Sequence, residues 1–566
     1  MEKRIQNCVP NFSEGRDKAI IRQITSAIES SGGVKLLDVD PGEATNRTVV
    51  TFVGSPEAVV EAAFAGVKRA AELIDMRRHK GAHPRMGATD VLPLIPICGI
   101  TLAECAELAR KLAERIAAEL HVPTYCYEAA AFIPERRNLA VCRAGEYEAL
   151  PEKLAHKETA PDFGARPFDD GVARTGATTV GARDFLIAVN FNLNTTSTRR
   201  ANAIAFDVRE KGRPVREGNP ITGKVVKDAA GNPVMQPGTL PATKAIGWFI
   251  EEYGIAQVSM NITDIATTPL HVAFDEVCRK ADARGVRVTG TEIVGLVPKR
   301  ALVEAGKYFL RKQRRSTGVA EEEIVRIAVK SMGLDDLKPF DPAEKVIEYL
   351  LEAEVPKKRL IDMTCKAFAE ETASESPAPG GGSIAAYMGA LGAALGTMVA
   401  NLSSHKAGWD DRWEEFSDWA ERGQAVLAEL LHLVDEDTAA FNRIMAVFAM
   451  PKSTDEEKAA RSAALQEATL YATEVPLRTM KAASRVFEIV RAMASEGNPN
   501  SVSDAGVGAL AARSAVLGAC LNVKINAAGL KDRAVADALI AEAEALAAEA
   551  VRLEAEVLQI VESKIG

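Results

Sequence analysis

Two short stretches carry residue types that can move protons. In Arg77-Arg78-His79-Lys80-Gly81-Ala82-His83-Pro84-Arg85-Met86-Gly87, two histidines stand four apart among arginines. On a helix that spacing would put two metal ligands on one face. Gly81 and Pro84 oppose a continuous helix, and no nearby glutamate completes a zinc motif. A loop histidine held by proline and glycines beside guanidinium groups suits proton transfer near an anion; the other reading is a surface histidine in a charged turn. The second stretch is Leu430, Val434, Asp437, Phe441, Ile444 and Phe448, spaced by fours and threes, so that Asp437 interrupts an apolar helical stripe. A carboxyl buried there is costly unless paired or protonated, and its pKa should rise, the setting of a general acid or base. The alternative ends a helix near Asp435 and makes Asp437 the cap of the next. Pro377-Ala378-Pro379-Gly380-Gly381-Gly382-Ser383 precedes an alanine-rich run. Ser383 reads as its N-cap, and the free N–H groups of that start, around Gly381 and Gly382, can hold an anion.

Different scaffolds are expected to position these groups. Residues 1–178 alternate strand and helix signals: strands over 5–9, 34–40, 48–53, 91–96 and 123–127, helices over 18–28, from Ser55-Pro56-Glu57 onward, and over 102–120. Strand-helix-strand-strand-helix-strand points to a ferredoxin-like α+β sandwich. The turn-rich stretch 161–183 reads as a connector. A second α+β unit follows to about 330, with strands 185–191 and 256–262 and helices near 198–210, 243–252 and 270–284. Residues 211–241, rich in Gly and Pro, read as a surface hairpin or loop, and 331–358 as a linker. From 359 alanine dominates and strand signals vanish, which predicts an all-α helical bundle to residue 566. The fold class is therefore multidomain: two ferredoxin-like-type α+β subdomains, 1–178 and 179–330, followed by the bundle.

At 566 residues the chain exceeds a single core. With 69 Lys and Arg against 78 Asp and Glu, the formal net charge of −9 disfavours a nucleic-acid partner. The run 384–402 comes closest to a membrane span, but its Ala/Gly content reads as a tightly packed soluble helix, so no membrane role is expected. Eight scattered cysteines without a CxxC pair indicate neither a zinc site nor a disulfide framework, and a cytoplasmic location fits best.

Several blocks resemble known families. Cys8-Val9-Pro10-Asn11-Phe12-Ser13-Glu14-Gly15, Leu37-Asp38-Val39-Asp40, Asn46-Arg47-Thr48, Gly81-Ala82-His83-Pro84-Arg85-Met86-Gly87, Arg143-Ala144-Gly145-Glu146-Tyr147-Glu148-Ala149-Leu150 and Ala160-Pro161-Asp162-Phe163-Gly164 resemble the formiminotransferase domain of the glutamate formimidoyltransferases over about residues 3–340. Pro377 to Ser383, Val434-Asp435-Glu436-Asp437 with Phe441, Leu465-Gln466-Glu467-Ala468, Val475-Pro476-Leu477 and Gly497-Asn498-Pro499-Asn500-Ser501-Val502-Ser503-Asp504 resemble the formiminotetrahydrofolate cyclodeaminases over about 359–560. Both modules in this order resemble the bifunctional family.

The resemblance implies formimino transfer from formiminoglutamate to tetrahydrofolate, then cyclisation with release of ammonia. Tetrahydrofolate is a co-substrate, and no metal is needed. His83 matches the family's catalytic histidine and Asp437 its catalytic aspartate. Asp40, at a strand end, can orient the histidine ring or simply cap the turn before Pro41-Gly42. Substrates with carboxylates at both ends call for arginine forks, for which Arg47, Arg85 and Arg143 are candidates. By resemblance Asn11 joins the binding set, and the folate segment falls at about Gly164 to Gly176, where Ala165-Arg166-Pro167-Phe168-Asp169-Asp170 departs from the animal pattern. Folate with one or several glutamates and a homo-oligomeric assembly are expected on the same basis. Two alternatives stay open for the helical half: a methenyltetrahydrofolate cyclohydrolase, or a non-catalytic oligomerisation scaffold.

Overall fold

The computed structural model describes residues 4–43, 46–81, 84–218, 223–352 and 359–565. It divides into two compact units, Met1–Ala301 with Met332–Glu354, and Leu302–Ser331 with Val355–Gly566. The division does not run along 330 and 358: residues 302–331 group with the helical unit, and 332–354 with the sheet unit.

The first sheet of the sheet unit contains β1 (Ile5–Cys8), β2 (Asn11–Phe12), β3 (Val34–Gly42), β4 (Arg47–Gly54), β5 (Thr89–Cys98), β6 (Thr124–Glu128) and β7 (Thr178–Ala182). β1 and β2 both pair with β4 and β5, so they act as one strand interrupted at Val9-Pro10; the lateral order is β3, β4, β1/β2, β5, β7, β6. Helices α1 (Lys18–Ser30), α2 (Pro56–Leu73) and α3 (Leu102–Leu120) start at side-chain caps: Asp17, Ser55 before Pro56, and a Thr101–Glu104 capping box. Ile24, Ile28, Val59, Val67, Leu112 and Ile116 from these helices close a core with Val50, Phe52 and Leu92. Because successive strand residues face opposite ways, the intervening positions Asn7, Val9, Asn11, Asp38, Asp40, Arg47, Val49 and Thr51 face a cleft.

The stretch 161–183 is not simply a connector. Its end, β7, runs parallel between β5 and β6 with all five residues buried. A strand covered on both faces lacks the alternation that betrays a half-exposed one. The second sheet contains β8 (Ile187–Leu193), β11 (Thr243–Ile250), β12 (Ile255–Ile262) and β13 (Val288–Val294) in the order β11, β12, β8, β13. α4 (Thr198–Val208) and α5 (Leu270–Asp282) complete it. The expected helix over 243–252 is instead β11, antiparallel to β12 along its whole length; Thr243, Ala245 and Gly247 are buried while Lys244, Ile246 and Trp248 are exposed, a period of two that its apolar content masks. The 211–241 insertion carries the short pair β9 (Arg213–Pro214) and β10 (Met235–Gln236), extended by bridges Arg216–Val225 and Lys227–Pro233.

The second unit is helical. α6 (Lys299–Lys312) and α7 (Glu321–Met332) contribute their 302–331 part; α8 (Cys365–Thr372), α9 (Gly381–Ser404), α10 (Trp413–Phe448), α11 (Asp455–Glu496), α12 (Val502–Ala527) and α13 (Arg533–Ile565) form the bundle. The link between α6 and α7 is welded to the bundle: Thr317 N–H donates to Ser417 Oγ at 3.0 Å, Gly318 O accepts from Asn401 at 2.8 Å, and a Cβ on Gly318 would lie 2.3 Å from Ala420. α9 and the stretch ending in α12 are long and apolar enough to cross a membrane by length and composition, with 61% and 50% of the relevant windows buried. α9 buries a small-residue face, Ala385, Gly389, Ala393, Gly396 and Ala400, which lets neighbouring helices approach closely. Ser383 is not the N-cap: Gly380 holds that position, and Ser383 is buried in the first turn.

Candidate functional sites

The loop that carries the first candidate site is anchored on both sides. Asn46, at φ 49°, accepts the Gly15 N–H and donates to Lys80 O at 3.1 Å. Buried His79 donates Nε2–H to Asn46 O at 2.8 Å, with Nδ1 turned to Arg85 Nε at 3.4 Å. Beyond the loop, Ser13 donates to Gly87 O at 2.7 Å, and Asp90 accepts the Met86 N–H at 3.0 Å. His83 lies between these anchors but outside the described residues. His79 therefore clamps the loop.

A cleft of about 500 Å³ opens between the inner faces of the two sheets of the sheet unit. Asn11, Asp40, Arg47 and Arg143 all line it, joined by Asn7, Asp38, Tyr127, Glu128, Arg183, Lys244 and Asn261. Arg143 pairs with the buried Asp90, whose carboxyl is raised by burial and opposed by Arg143 and Arg47. Burial lowers Arg47 to about 10, against the pull of Asp90 and with a push from Arg143. Asp38 is raised by burial and by its neighbour Asp40. Glu128, at φ 52°, is raised by burial against Arg183 and Lys244. The cleft thus holds buried charges of both signs, suited to a zwitterionic or polyanionic ligand.

The other candidates of this half fall outside the cleft. Arg85 gives its guanidinium to Glu146 and Glu148, at 3.1 and 2.7 Å, and lines a separate surface pocket with Lys80, Gly81 and Gly145. Gly164 and Gly176 adopt positive φ, where glycine is favoured. A Cβ on Gly176 would lie 2.2 Å from Met86 O, so this glycine lets the connector pack against the histidine loop.

In the helical unit α10 runs unbroken through Asp437, which removes the capping alternative. Its carboxyl lines a cavity of about 150 Å³ with Gly380, Gly381, Gly382, Phe441, Asn522 and Asn526. Ser383 Oγ stands within hydrogen-bond distance of both Val434 O (2.9 Å) and Asp437 Oδ2 (3.1 Å), so its one proton is shared between the two acceptors. Burial raises the Asp437 pKa, and hydrogen bonds from the Ser383 side chain and backbone oppose it. A Cβ on Gly382 would lie 2.1 Å from Asp437 Oδ1, so only glycine leaves room for the acid. The glycine run, the serine and the aspartate, distant in sequence, form one site.

Sequence reasoning missed Asp90, Asn7, Asp38, Asn522 and Asn526. The pattern of Asp38, next but one to Asp40 on a strand, was available; Asn522 and Asn526, four apart on α12, carried no signal without the packing.

Three family models match in order: "Formiminotransferase domain, N-terminal subdomain" at residues 5–183, "Formiminotransferase domain" at 188–352 and "Formiminotransferase-cyclodeaminase" at 364–545. The rat (Rattus norvegicus) formimidoyltransferase-cyclodeaminase is 43% identical over 529 residues, 94% of this chain and 93% of its own. The chain belongs to the formimidoyltransferase-cyclodeaminase family. The Dictyostelium discoideum member is 37% identical over 563 residues, 99% of each chain. A methenyltetrahydrofolate cyclohydrolase of Methylorubrum extorquens is 40% identical over 202 residues, 36% of this chain and 97% of its own. Family membership thus spans both candidate sites, while the helical one is shared with a folate enzyme of another name.

Proposed function

We propose that this member of the formimidoyltransferase-cyclodeaminase family transfers the formimino group of formiminoglutamate to tetrahydrofolate, then closes the product to 5,10-methenyltetrahydrofolate with loss of ammonia. The observation that carries this is a full-length relationship to bifunctional enzymes spanning both a charged cleft and a buried acid.

In the first step N5 of tetrahydrofolate attacks the formimino carbon, a proton leaves N5, and another reaches the departing glutamate amine. His83 is assigned both transfers, which typically contribute roughly 10²–10⁴-fold. Asp40, Asn11, Arg47 and Arg143 bind and orient the substrates. Arg85 and Gly176 shape the loop, and Gly164 the connector. In the second step N10 attacks the formimino carbon and ammonia leaves. Asp437 takes the N10 proton and returns it to the leaving nitrogen; Gly381, Gly382 and Ser383 frame it.

The cyclohydrolase relative supports a second reading for the helical half. Both reactions act on the carbon bridging N5 and N10, and one acid/base carboxyl serves either. The transferase module in the same chain favours cyclodeamination, because it makes the formimino-folate.

In the first sheet the run from β1/β2 to β5, and in the second the run from β8 to β13, have strand-helix-strand-strand-helix-strand order and the lateral order second, third, first, fourth. This supports the ferredoxin-like reading for both transferase subdomains, the first widened by β7 and β6 so that it reaches Ala182 rather than 178; catalysis of ring closure is assigned to 359–566. Exposed Leu391, Met398, Leu402, Leu521 and Ile525 support a homo-oligomer, and cysteines left as free thiols a cytoplasmic site. Neither half-reaction calls on a metal.

The test supplies formiminoglutamate and tetrahydrofolate to the full chain and follows methenyltetrahydrofolate by absorbance and ammonia by a coupled assay, expected in equal amounts. Formimino-folate accumulating without ammonia would refute the cyclodeaminase assignment.

A further inference from the structure

The cavity that holds Asp437 carries two side chains that the acid/base step leaves unused. Asn522 and Asn526 stand one turn apart on α12, both half-buried and both lining the cavity with Asp437. Neither amide is free to turn. Asn522 donates Nδ2–H to Gly518 O at 2.9 Å within its own helix, and Asn526 donates Nδ2–H to Ala472 O of α11 at 2.7 Å. With each NH2 group committed to a backbone carbonyl, each Oδ1 is left as an acceptor, and among the described residues no hydrogen bond reaches either oxygen. A Cβ on Gly381 would lie 3.8 Å from Asn522 Oδ1, and one on the adjoining Gly382 2.1 Å from Asp437 Oδ1. Two consecutive glycines at the start of α9 thus put the amide and the acid side by side. The cavity, about 150 Å³, has room for roughly five water-sized groups at roughly 30 Å³ each. That is enough for a one-carbon bridge and its nitrogen, but not for a pterin and its tail.

Resting on the cyclodeaminase reading, we propose that Asn522, Asn526 and Asp437 form a three-acceptor seat for the nitrogen that leaves as ammonia. Attack of N10 on the protonated formimino carbon gives a tetrahedral carbon bonded to N5, N10 and an –NH2 group. Asp437 takes the proton from N10 and gives it to that group, which becomes –NH3+ with three N–H donors. Three acceptors match three donors. The carbon–nitrogen bond then breaks with its electron pair on the nitrogen, neutral ammonia leaves, and the bridge between N5 and N10 keeps the single positive charge. One tetrahedral nitrogen donating to two oxygens at about 2.9 Å holds them about 4.7 Å apart. Side chains four apart on a helix stand about 5–6 Å apart at Cβ, so the asparagine pair meets one nitrogen with little convergence. Methylamine has one donor fewer. Its methyl group would press on an acceptor oxygen and leave it unpaired, and sites built to hydrogen-bond a donor reject analogues lacking it.

The test runs the full chain in reverse, supplying 5,10-methenyltetrahydrofolate with ammonium chloride and following the ammonium-dependent loss of methenyl absorbance. Methylamine in place of ammonium should react at least about 10-fold less well in kcat/KM with the wild type, as expected where one hydrogen bond to a charged group is lost. Asn522→Leu, similar in volume, should raise the ammonium KM about 10-fold or more for the same reason. It should change the folate KM by less than about 3-fold and narrow the methylamine gap. Asn522→Asp, which keeps an acceptor, should restore the ammonium KM to within about 3-fold of the wild type. Circular dichroism and thermal unfolding establish that both variants fold. Equal use of the two amines by the wild type, which needs no variant, overturns the proposal. So does an Asn522→Leu protein with an unchanged ammonium KM, or with both KM values raised alike. A wild type that neither releases ammonia in the forward direction nor consumes it in reverse sinks the cyclodeaminase reading and the seat with it, whereas ammonia turnover without these signatures overturns the seat alone.

Discussion

Gly382→Ala tests the cyclisation site with one methyl group. The added Cβ would lie 2.1 Å from Asp437 Oδ1 and 2.5 Å from its Cγ. Ordinary contact begins near 3.4 Å, so the carboxyl must retreat by about 1 Å. The retreat pulls Oδ2 away from Ser383 Oγ, now at 3.1 Å, a hydrogen bond to a charged group worth about 1.5–3 kcal/mol. Against this, alanine is better than glycine in a helix by up to about 1 kcal/mol, and Gly382 lies in the first turn of α9. Stability should thus change by less than about 2 kcal/mol and the bundle should fold. Activity should not survive as well, because a 1 Å misplacement of a reacting group can cost roughly 10²-fold. The assay supplies 5-formiminotetrahydrofolate and follows ring closure, with transfer measured separately on the same protein. Ring closure should fall about 10²-fold with transfer unchanged. More than about a tenth of wild-type ring closure in a folded variant would refute the reasoning, since it would mean that the acid need not sit against Gly382.

Asp437→Asn should match the wild type in acid and exceed it in stability as pH rises. A buried carboxyl with a raised native pKa binds more protons folded than unfolded, so native stability falls with pH across that window; each pKa unit amounts to about 1.4 kcal/mol. Urea midpoints at two pH values check the sign, and an unchanged difference between variant and wild type would contradict it. Asp90→Ala removes the partner of the Arg143 guanidinium and of the Met86 N–H; breaking such a buried pair should cost about 3–5 kcal/mol, read as a lower thermal midpoint and lost transfer. Gly176→Ala, at φ 67° and against Met86 O, should depress transfer through the histidine loop with little change in ring closure, whereas a selective rise in the folate KM alone would assign that glycine to folate binding instead.

Where a segment had one exposed face, its sequence was readable. α2 announced itself by its Ser55-Pro56-Glu57 start and three-to-four spacing, and the bundle by its change of composition. The stripe through Asp437 was legible for the same reason, since a single acid among Leu430, Val434 and Phe441 stands out on a periodic surface. What escaped was set by partners distant in sequence. β7 is buried on both sides and so loses its period. In β11 the exposed positions Ile246 and Trp248 are themselves apolar, which hides the alternation. Ser383 looks like a cap because it follows glycines, yet its hydroxyl is turned to Val434 and Asp437, fifty residues on. Asp90 resembled the polar start of an ordinary strand; its role emerges only when Arg143 is brought to it from beyond β6.

The two acids that matter most are kept in opposite electrostatic company, and the chemistry explains why. Burial raises the Asp90 carboxyl, and Arg143 and Arg47 beside it oppose that shift by favouring the charged form, which suits a fixed support. Asp437 feels burial and the Ser383 hydrogen bonds, with no cation among those influences. In its proposed role, taking a proton from N10 and returning it to departing ammonia, Asp437 cannot be locked in either state. A neighbouring lysine or arginine would hold the carboxylate charged and spoil the return step. An apolar pocket without a donor would hold it protonated and spoil the first. The substrate supplies the missing balance, because an amidinium entering the cavity brings the positive charge that burial withholds and draws the carboxyl toward ionisation. As ring closure proceeds and ammonia forms, the proton returns to the nitrogen that leaves. On this reasoning, replacing Thr438 or Phe441, which line the same cavity, by lysine should arrest ring closure while preserving the fold, because the acid would then arrive charged and stay so.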